Sequence, residues 1–313
     1  MSCLLLVPVS REKYLPFVRT ASGRKWTMST TSEDVKYTTL FIDKNDKIAT
    51  IHLNRPERLN ALSETMRAEL VAACDELAVD SSVSVVILKG EGRAFCSGAD
   101  VKNAGIVDSG SELHPGDTAA DWLRAQREQL FLWKVWDLPK PVIAQVQGYA
   151  LGLGSLLMTM CDLVVIAEDA RVGNARITMG AGMIGTKYAW AVGLRRAKWL
   201  DLLPGWRITG KEAVEWGWAN LAVPAEDLDD EVAALAEQLA KVPLTHLMFR
   251  KVSLNRVWDE MGFRNSIAAG IDFDPLAHKS TEGLEMENRV GRDGFINVGR
   301  EMYTSYPARH DRA

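Results

Sequence analysis

The stretch Gly148-Tyr149-Ala150-Leu151-Gly152-Leu153-Gly154-Ser155 constrains this chain more than any other. It follows a strand-like run, Pro141 to Val146, and opens a helix-like run, Ser155 to Met160. A strand, a glycine-rich turn and a helix start together form a backbone device. Glycine lets the chain turn tightly and lets another group approach the main chain. The first turn of a helix leaves N–H groups without partners, and the helix dipole makes that end attractive to negative charge. Such an end can hold a phosphate, a carboxylate or a developing oxyanion. The same residues also suit a tight turn with no ligand, and the stretch alone does not choose between the two.

Composition narrows the class. The 313 residues are 47% hydrophobic and 25% charged, which suits a soluble globular protein. With 37 basic and 41 acidic residues the net charge is -4, which gives no support for a general nucleic-acid binder. No apolar run approaches the roughly 18 residues needed to span a bilayer. The four cysteines stand apart from metal or redox spacing and read as buried thiols of a reducing compartment. The five histidines are scattered, so no metal site is expected. Residues 1–36 read as an extension outside the fold, and Met28 is a candidate start. Basic residues after an apolar run at Cys3 to Val9 leave organellar targeting open beside a cytoplasmic location.

Periodicity organises the rest. Thr38 to Asp43 and Lys47 to Leu53 read as two strands, and Val83 to Leu88 as a third, buried on both faces. Met66, Leu70, Ala73 and Leu77 share one face of a helix. A second loop of small residues, Ala94-Phe95-Cys96-Ser97-Gly98-Ala99-Asp100, follows the third strand. Asp121 to Trp136 reads as one helix with Leu123, Leu130, Trp133 and Trp136 on its apolar side. Leu163 to Ala167 is a strand, Ala189 to Leu203 and Lys211 to Trp218 are helical, and Leu228 to Lys241 and Pro243 to Trp258 are amphipathic helices. Strands and helices alternate first and helices dominate later. That pattern predicts an α/β core over 37–225 and a helical region over 226–313.

The two small-residue loops lie about 55 positions apart, from Ser97 to Leu153. With them stand Asn54-Arg55-Pro56, Asn60-Ala61-Leu62, Pro139-Lys140-Pro141-Val142-Ile143-Ala144, Cys161-Asp162-Leu163, and Ile208-Thr209-Gly210 with Glu212-Ala213 and Gly217. In number, order and spacing this set resembles the crotonase family, also called the enoyl-CoA hydratase/isomerase family, over roughly Thr38 to Leu254. The resemblance implies a crotonase-type α/β fold, a ββα spiral core with a helical C-terminal region used in trimerisation. It implies an acyl-CoA thioester as ligand, coenzyme A being part of the substrate and no other cofactor being required. A homotrimer or a dimer of trimers follows from the same resemblance.

The shared chemistry of the family is a pair of backbone N–H groups that hold the thioester oxygen as it becomes an enolate. On matching positions these are expected to be the amides of Ser97 and Leu153. Fixed dipoles stabilise such charge without reorganising, and removing one donor costs about 3 to 4 kcal/mol. Ser97 also suits a tight turn simply by being small. Arg58, Leu59 and Ala61 would line the CoA groove. Arg58 either meets a phosphate or is a solvated arginine beside Glu57. Gly98, Ala99, Asp100 and Val101 would flank the adenine or pantetheine, although Asp100 can instead fix its own loop. Tyr149, Gly152, Leu156, Arg176 and Met179 complete the expected substrate contacts. Asp162 reads as a structural turn or cap.

The chain departs from the family where hydratases carry two glutamates. Leu156 stands at the first position and Arg176 at the second. Leucine transfers no proton, and arginine is a poor general base. Two-carboxylate water addition is therefore not expected. An acid/base group would have to come from elsewhere, with Glu112, His114, Asp117, Asp121 and Tyr188 as candidates. The alternatives are a hydrolase of a thioester or carbon–carbon bond, and an acyl-CoA binder without turnover. Arg176 either binds a polar group on the acyl chain or pairs with Glu168 or Asp169.

Overall fold

The structure is a computed structural model and describes residues 37–100, 117–174, 183–203 and 205–303. The expectations for residues 1–36, Val101, Glu112, His114, Arg176 and Met179 lie outside these residues.

Nine strands are described: β1 (Leu40–Asn45), β2 (Ile48–Leu53), β3 (Val85–Gly90), β4 (Val142–Val146), β5 (Tyr149–Leu151), β6 (Leu163–Ala167), β7 (Arg171–Gly173), β8 (Arg207–Thr209) and β9 (Leu221–Val223). The helices are α1 (Glu64–Val79), α2 (Thr118–Glu128), α3 (Leu130–Asp137), α4 (Leu153–Thr159), α5 (Met183–Val192), α6 (Leu194–Leu202) and α7 (Gly210–Glu215). The C-terminal helices are α8 (Leu228–Ala240), α9 (Leu244–Glu260), α10 (Phe263–Ile271), α11 (Phe273–His278), α12 (Thr281–Asp293) and α13 (Phe295–Tyr303).

The main sheet runs β1-β2-β3-β4-β6-β9. Its β1–β2 hairpin is antiparallel and every other pairing is parallel. Parallel strands need both faces covered, and the largely apolar runs of β3 and β4 satisfy that: Val85 to Leu88 and Val142 to Val146 are buried throughout, with Gln145 the one polar residue among them. A smaller sheet, β5-β7-β8, carries the glycine-rich stretch at its edge. Ser63 caps α1 by accepting from the Met66 amide, and Met66, Leu70, Ala73 and Leu77 are all buried as their spacing predicts.

Some boundaries differ from the sequence reading. The first strand continues through Lys44 and Asn45, because the turn sits at Asp46, whose φ of 51° is left-handed. The helix expected from Asp121 to Trp136 is two helices that meet at Gln129. The break restarts the register, so Leu130 is exposed while Phe131, Leu132, Val135 and Trp136 face the core. Gly193, with φ 78°, likewise divides α5 from α6. The short strand β9 was not expected.

Two buried lysines tie layers together. The Lys140 ammonium caps the end of α1 by donating to the carbonyls of Leu77 and Asp80. Lys251 of α9 donates to Asp162 at 2.7 Å and to the Lys140 carbonyl at 3.1 Å. Asp162 also accepts from the Val142 amide at 2.7 Å. Asp162 is thus a brace between β4, β6 and the C-terminal helices. Burial raises its carboxyl, and Lys251 opposes that shift. Trp133, Trp136, Trp190, Trp258 and Phe263 pack with ring centroids 4.8–5.8 Å apart and join α3, α5, α9 and α10.

Candidate active site

Three segments meet at the C-terminal ends of β2, β3 and β4: residues 54–62, 94–100 and 147–154. The middle segment is stitched to both neighbours. On one side the Cys96 amide donates to the Tyr149 carbonyl at 2.9 Å, and the Leu151 amide donates to the Cys96 carbonyl at 3.0 Å. On the other side the Ser97 amide donates to the Leu59 carbonyl at 2.9 Å. Leu62 donates to Gly98 at 2.8 Å, and Asp100 donates back to Leu62 at 3.3 Å.

This pattern decides which amide is available. Ser97, expected from the sequence to donate to a ligand, has its N–H engaged by Leu59. Leu62 and Ala99 form a parallel bridge, in which the residues on either side of Ala99 bond Leu62. The N–H of Ala99 therefore points to the opposite side, and Ala99 is exposed. Among the described residues no group accepts from the Ala99 amide, and none accepts from the Leu153 amide, the first of α4.

Close packing brings these two positions together. Gly98 has φ 108°, and a methyl group added there would lie 2.8 Å from the Leu151 carbonyl oxygen and 3.6 Å from the Leu153 nitrogen. A methyl on Gly154 would lie 2.3 Å from the Cys96 carbonyl oxygen. Any side chain at either glycine would force the two loops apart.

The first segment is shaped from within. Leu59 and Asn60 are both left-handed, with φ 51° and 53°. Asn60 is fully buried and accounts for the strain: its Oδ1 accepts from the Arg55 amide at 2.9 Å, and its Nδ2 donates to the carbonyls of Glu91 at 2.9 Å and Ala94 at 2.8 Å. Arg55 donates to the Ala61 carbonyl at 2.6 Å and pairs with Asp100 at 2.8 Å. Asp100 thus locks its loop to the preceding one through Arg55. Arg58 is exposed at the end of the 3-10 turn Pro56–Arg58, and Leu59 and Ala61 lie behind it. Tyr149 is half-buried, with the Arg207 guanidinium 5.8 Å from its ring centre.

The acid/base candidates inside the described residues are engaged elsewhere. Leu156 is fully buried in α4 and is part of the core. Asp117 caps α2. Asp121 pairs with Arg124 at 2.5 Å and His278 at 2.7 Å. Burial would raise its carboxyl, but these two partners outweigh it and hold it at about 2. Tyr188 is fully buried, and its hydroxyl meets Ser155 Oγ at 2.7 Å and the Gly173 carbonyl at 3.1 Å. Burial pushes the Cys96 thiol up to about 12, which makes it a packed thiol and no nucleophile. Glu168, one suggested partner of Arg176, pairs with Lys211 at 2.7 Å. Among the described residues no three His, Cys, Asp or Glu side chains gather as a metal site, and no helix is long and apolar enough to cross a membrane.

Tyr188, expected as an acid/base candidate, braces buried backbone instead, and Arg55 and Asn60, which stood in the matched motifs without a role, hold the loops in shape. Their roles depend on partners 15 to 45 positions away. The choice of Ala99 over Ser97 follows from strand-like alternation in the loop, which composition does not show.

Comparison with known proteins bears on the same segments. The model of the enoyl-CoA hydratase/isomerase family matches residues 43–290. The probable enoyl-CoA hydratase echA8 of Mycobacterium leprae is 32% identical over 274 residues, 86% of this chain and 99% of that one. A probable enoyl-CoA hydratase of Rhizobium meliloti is 32% identical over 266 residues, 84% of this chain and 96% of that one. The crystal structure of an enoyl-CoA hydratase/isomerase from Xanthobacter autotrophicus superposes with a TM-score of 0.75 at 29% identity, covering 83% of this chain and 96% of that one. With the parallel sheet, the crossing helices and the two interlocked glycine loops in place, the chain belongs to the enoyl-CoA hydratase/isomerase, or crotonase, family.

Proposed function

We propose that this protein binds an acyl-CoA thioester and stabilises its enolate with the backbone amides of Ala99 and Leu153. One observation carries the reading: these two N–H groups are unengaged, on loops that Gly98 and Gly154 hold in contact. A thioester oxygen placed between them gains two donors as charge develops on it. The donors need no reorganisation, which is the condition for strong transition-state stabilisation. Arg58, Leu59 and Ala61 line the CoA side, with Arg58 free to meet a phosphate. Gly98, Ala99 and Asp100 lie along the pantetheine arm, and Tyr149 and Gly152 along the thioester.

The chemistry that follows is of the lyase or isomerase kind. Leu156 supplies no proton-transfer group, so the two-carboxylate route to water addition is closed. A second reading, an acyl-CoA binder without turnover, draws support from the same leucine and from the engagement of Asp117, Asp121 and Tyr188. Incubation of the protein with enoyl-, 3-oxo- and ring-acyl-CoA esters, with products followed by mass spectrometry, separates the readings. A product that keeps its thioester with the acyl part rearranged or shortened supports a lyase or isomerase, free CoA with the matching acid or a new acid from the acyl part supports a hydrolase, and unchanged esters that still bind support the binder. Self-association as a trimer has support in the exposed apolar stripe of Leu254 and Val257 on α9 and Met261 at its C-terminal cap. A solution mass of three chains is expected, and a monomer would remove that part of the proposal.

A further inference from the structure

The amide of Leu153 belongs to the same peptide group as the carbonyl of Gly152. That group is planar and trans, so fixing the direction of the carbonyl fixes the direction of the N–H. Two donors hold the Gly152 carbonyl: the Leu156 amide at 3.1 Å, which is the first turn of α4, and the Ser155 hydroxyl at 2.7 Å. Ser155 Oγ in turn lies 2.7 Å from the Tyr188 hydroxyl. Each hydroxyl has a single proton. The carbonyls of Gly152 and Gly173 can only accept, so two protons serve three contacts and the two shorter ones take them: Ser155 donates to Gly152 and Tyr188 donates to Ser155, each at 2.7 Å, with the Gly173 carbonyl at 3.1 Å as the weaker second acceptor for Tyr188. The Gly173 carbonyl also accepts from the Gly152 amide at 2.9 Å, which pins the other flank of the same residue.

We infer that Tyr188 and Ser155 are positioning residues for the Leu153 donor: a hydroxyl relay, Tyr188 to Ser155 to the Gly152 carbonyl, orients and polarises the peptide whose N–H meets the thioester oxygen. The inference rests on the proposed donor pair of Ala99 and Leu153. Three features make the relay more than packing. It is fully buried, so no water competes with it. It runs in one direction, and hydrogen bonds in such a chain strengthen one another at low dielectric. It ends on the peptide oxygen opposite the donor, where each bond accepted draws electron density from the nitrogen and strengthens the N–H. The Tyr188 ring is itself held edge-on against Trp218 at 5.0 Å, and burial keeps its phenol protonated well above the usual range. The N-cap position offers a reason for the device. Gly152 has φ 53° and ψ -121°, a region open to glycine, and its own side chain can hold nothing in place. Glycine permits the turn, and the relay fixes it.

The test uses crotonyl-CoA labelled with carbon-13 at the thioester carbonyl, bound to the full chain and read by infrared difference spectroscopy. In the unaltered protein the carbonyl band should lie below its position for the free ester. Tyr188→Phe and Ser155→Ala should each move the bound band part of the way back, while the ester stays bound through its CoA portion. A purely structural role would lower the melting temperature and leave the band in place. If the band is displaced in the unaltered protein and stays put in both variants, the relay is refuted and the donor pair stands. If the unaltered protein shows no displacement, the donor pair fails and the relay with it. Should Tyr188→Phe not fold, Ser155→Ala carries the comparison alone, since it removes one hydroxyl and leaves the ring packed.

Discussion

The Ser97 amide donates to the carbonyl oxygen of Leu59 at 2.9 Å, which leaves the amide two residues later, that of Ala99, facing the site. The Ser97 side chain adds only a long contact, 3.4 Å, to the Arg58 carbonyl. Ser97→Ala keeps the main-chain bond, so it should change stability by less than about 0.5 kcal/mol and leave acyl-CoA affinity unchanged. Ala99→Pro removes the N–H itself. It should reduce the polarisation of a bound thioester carbonyl to what the Leu153 amide alone supplies, which carbonyl infrared spectra of the two variants can compare. An Ala99→Pro variant that still holds the ester and leaves its carbonyl band where the unaltered protein puts it would remove the Ala99 amide from the assignment.

Gly154 presses against Cys96. The alanine methyl would lie 2.3 Å from a backbone carbonyl oxygen and 2.8 Å from the Cys96 Cβ, neither of which can swing away. Gly154→Ala should therefore cost about 1–3 kcal/mol, as overpacking does, and should weaken acyl-CoA binding by moving the two loops apart. Denaturant unfolding and ligand titration of one preparation read both effects. A variant as stable as the parent with unchanged affinity would show that the contact tolerates spreading.

Leu156 stands where the sequence comparison expects the first glutamate of two-carboxylate hydration. Placing an acid there should not produce the reaction. Leu156 is fully buried, so the new carboxyl would be neutralised by its surroundings and would destabilise the fold by about 3 kcal/mol. Leu156→Glu is expected to melt earlier and to add no water to crotonyl-CoA. Appearance of 3-hydroxybutanoyl-CoA in that variant would mean that the position opens onto the thioester.

Asp121 gives the protein a defined acid sensitivity. Its carboxyl sits at about 2 in the fold because His278 and Arg124 together outweigh burial, against a usual value near 4. A carboxyl lowered in the fold stabilises it above the unfolded value, and that stability is lost as pH falls from about 4 through about 2. The pairing is worth about 2 kcal/mol at neutral pH. Asp121→Asn should lower stability by about that amount at pH 7 and flatten the decline between pH 4 and pH 2. Melting temperature against pH, compared for the two proteins, checks both the size and the window.

Much of this architecture was legible in the residues. The buried strands β3 and β4 announced themselves as apolar runs, and Met66, Leu70, Ala73 and Leu77 marked the inner face of α1. The two glycine loops were visible because glycine is demanded wherever backbones touch, as Gly98 and Gly154 do. Other features depend on distant partners. Gln129 breaks a helix that local pattern would continue, and this turned Leu130 outward. Asp100 finds Arg55 across 45 positions, and Tyr188 finds Ser155 across 33. The direction of an amide within a loop belongs to the pairing of its neighbours, so no residue type could have announced Ala99.

The decisive measurement is the carbon-13 resonance of crotonyl-CoA labelled at its thioester carbonyl, recorded free and bound to the full-length protein. Two aligned donors on the oxygen withdraw density from that carbon, so a downfield displacement on binding is expected, reduced in Ala99→Pro. A bound resonance at the position of the free ester, under conditions where the CoA portion is demonstrably held, would contradict the Ala99–Leu153 donor pair.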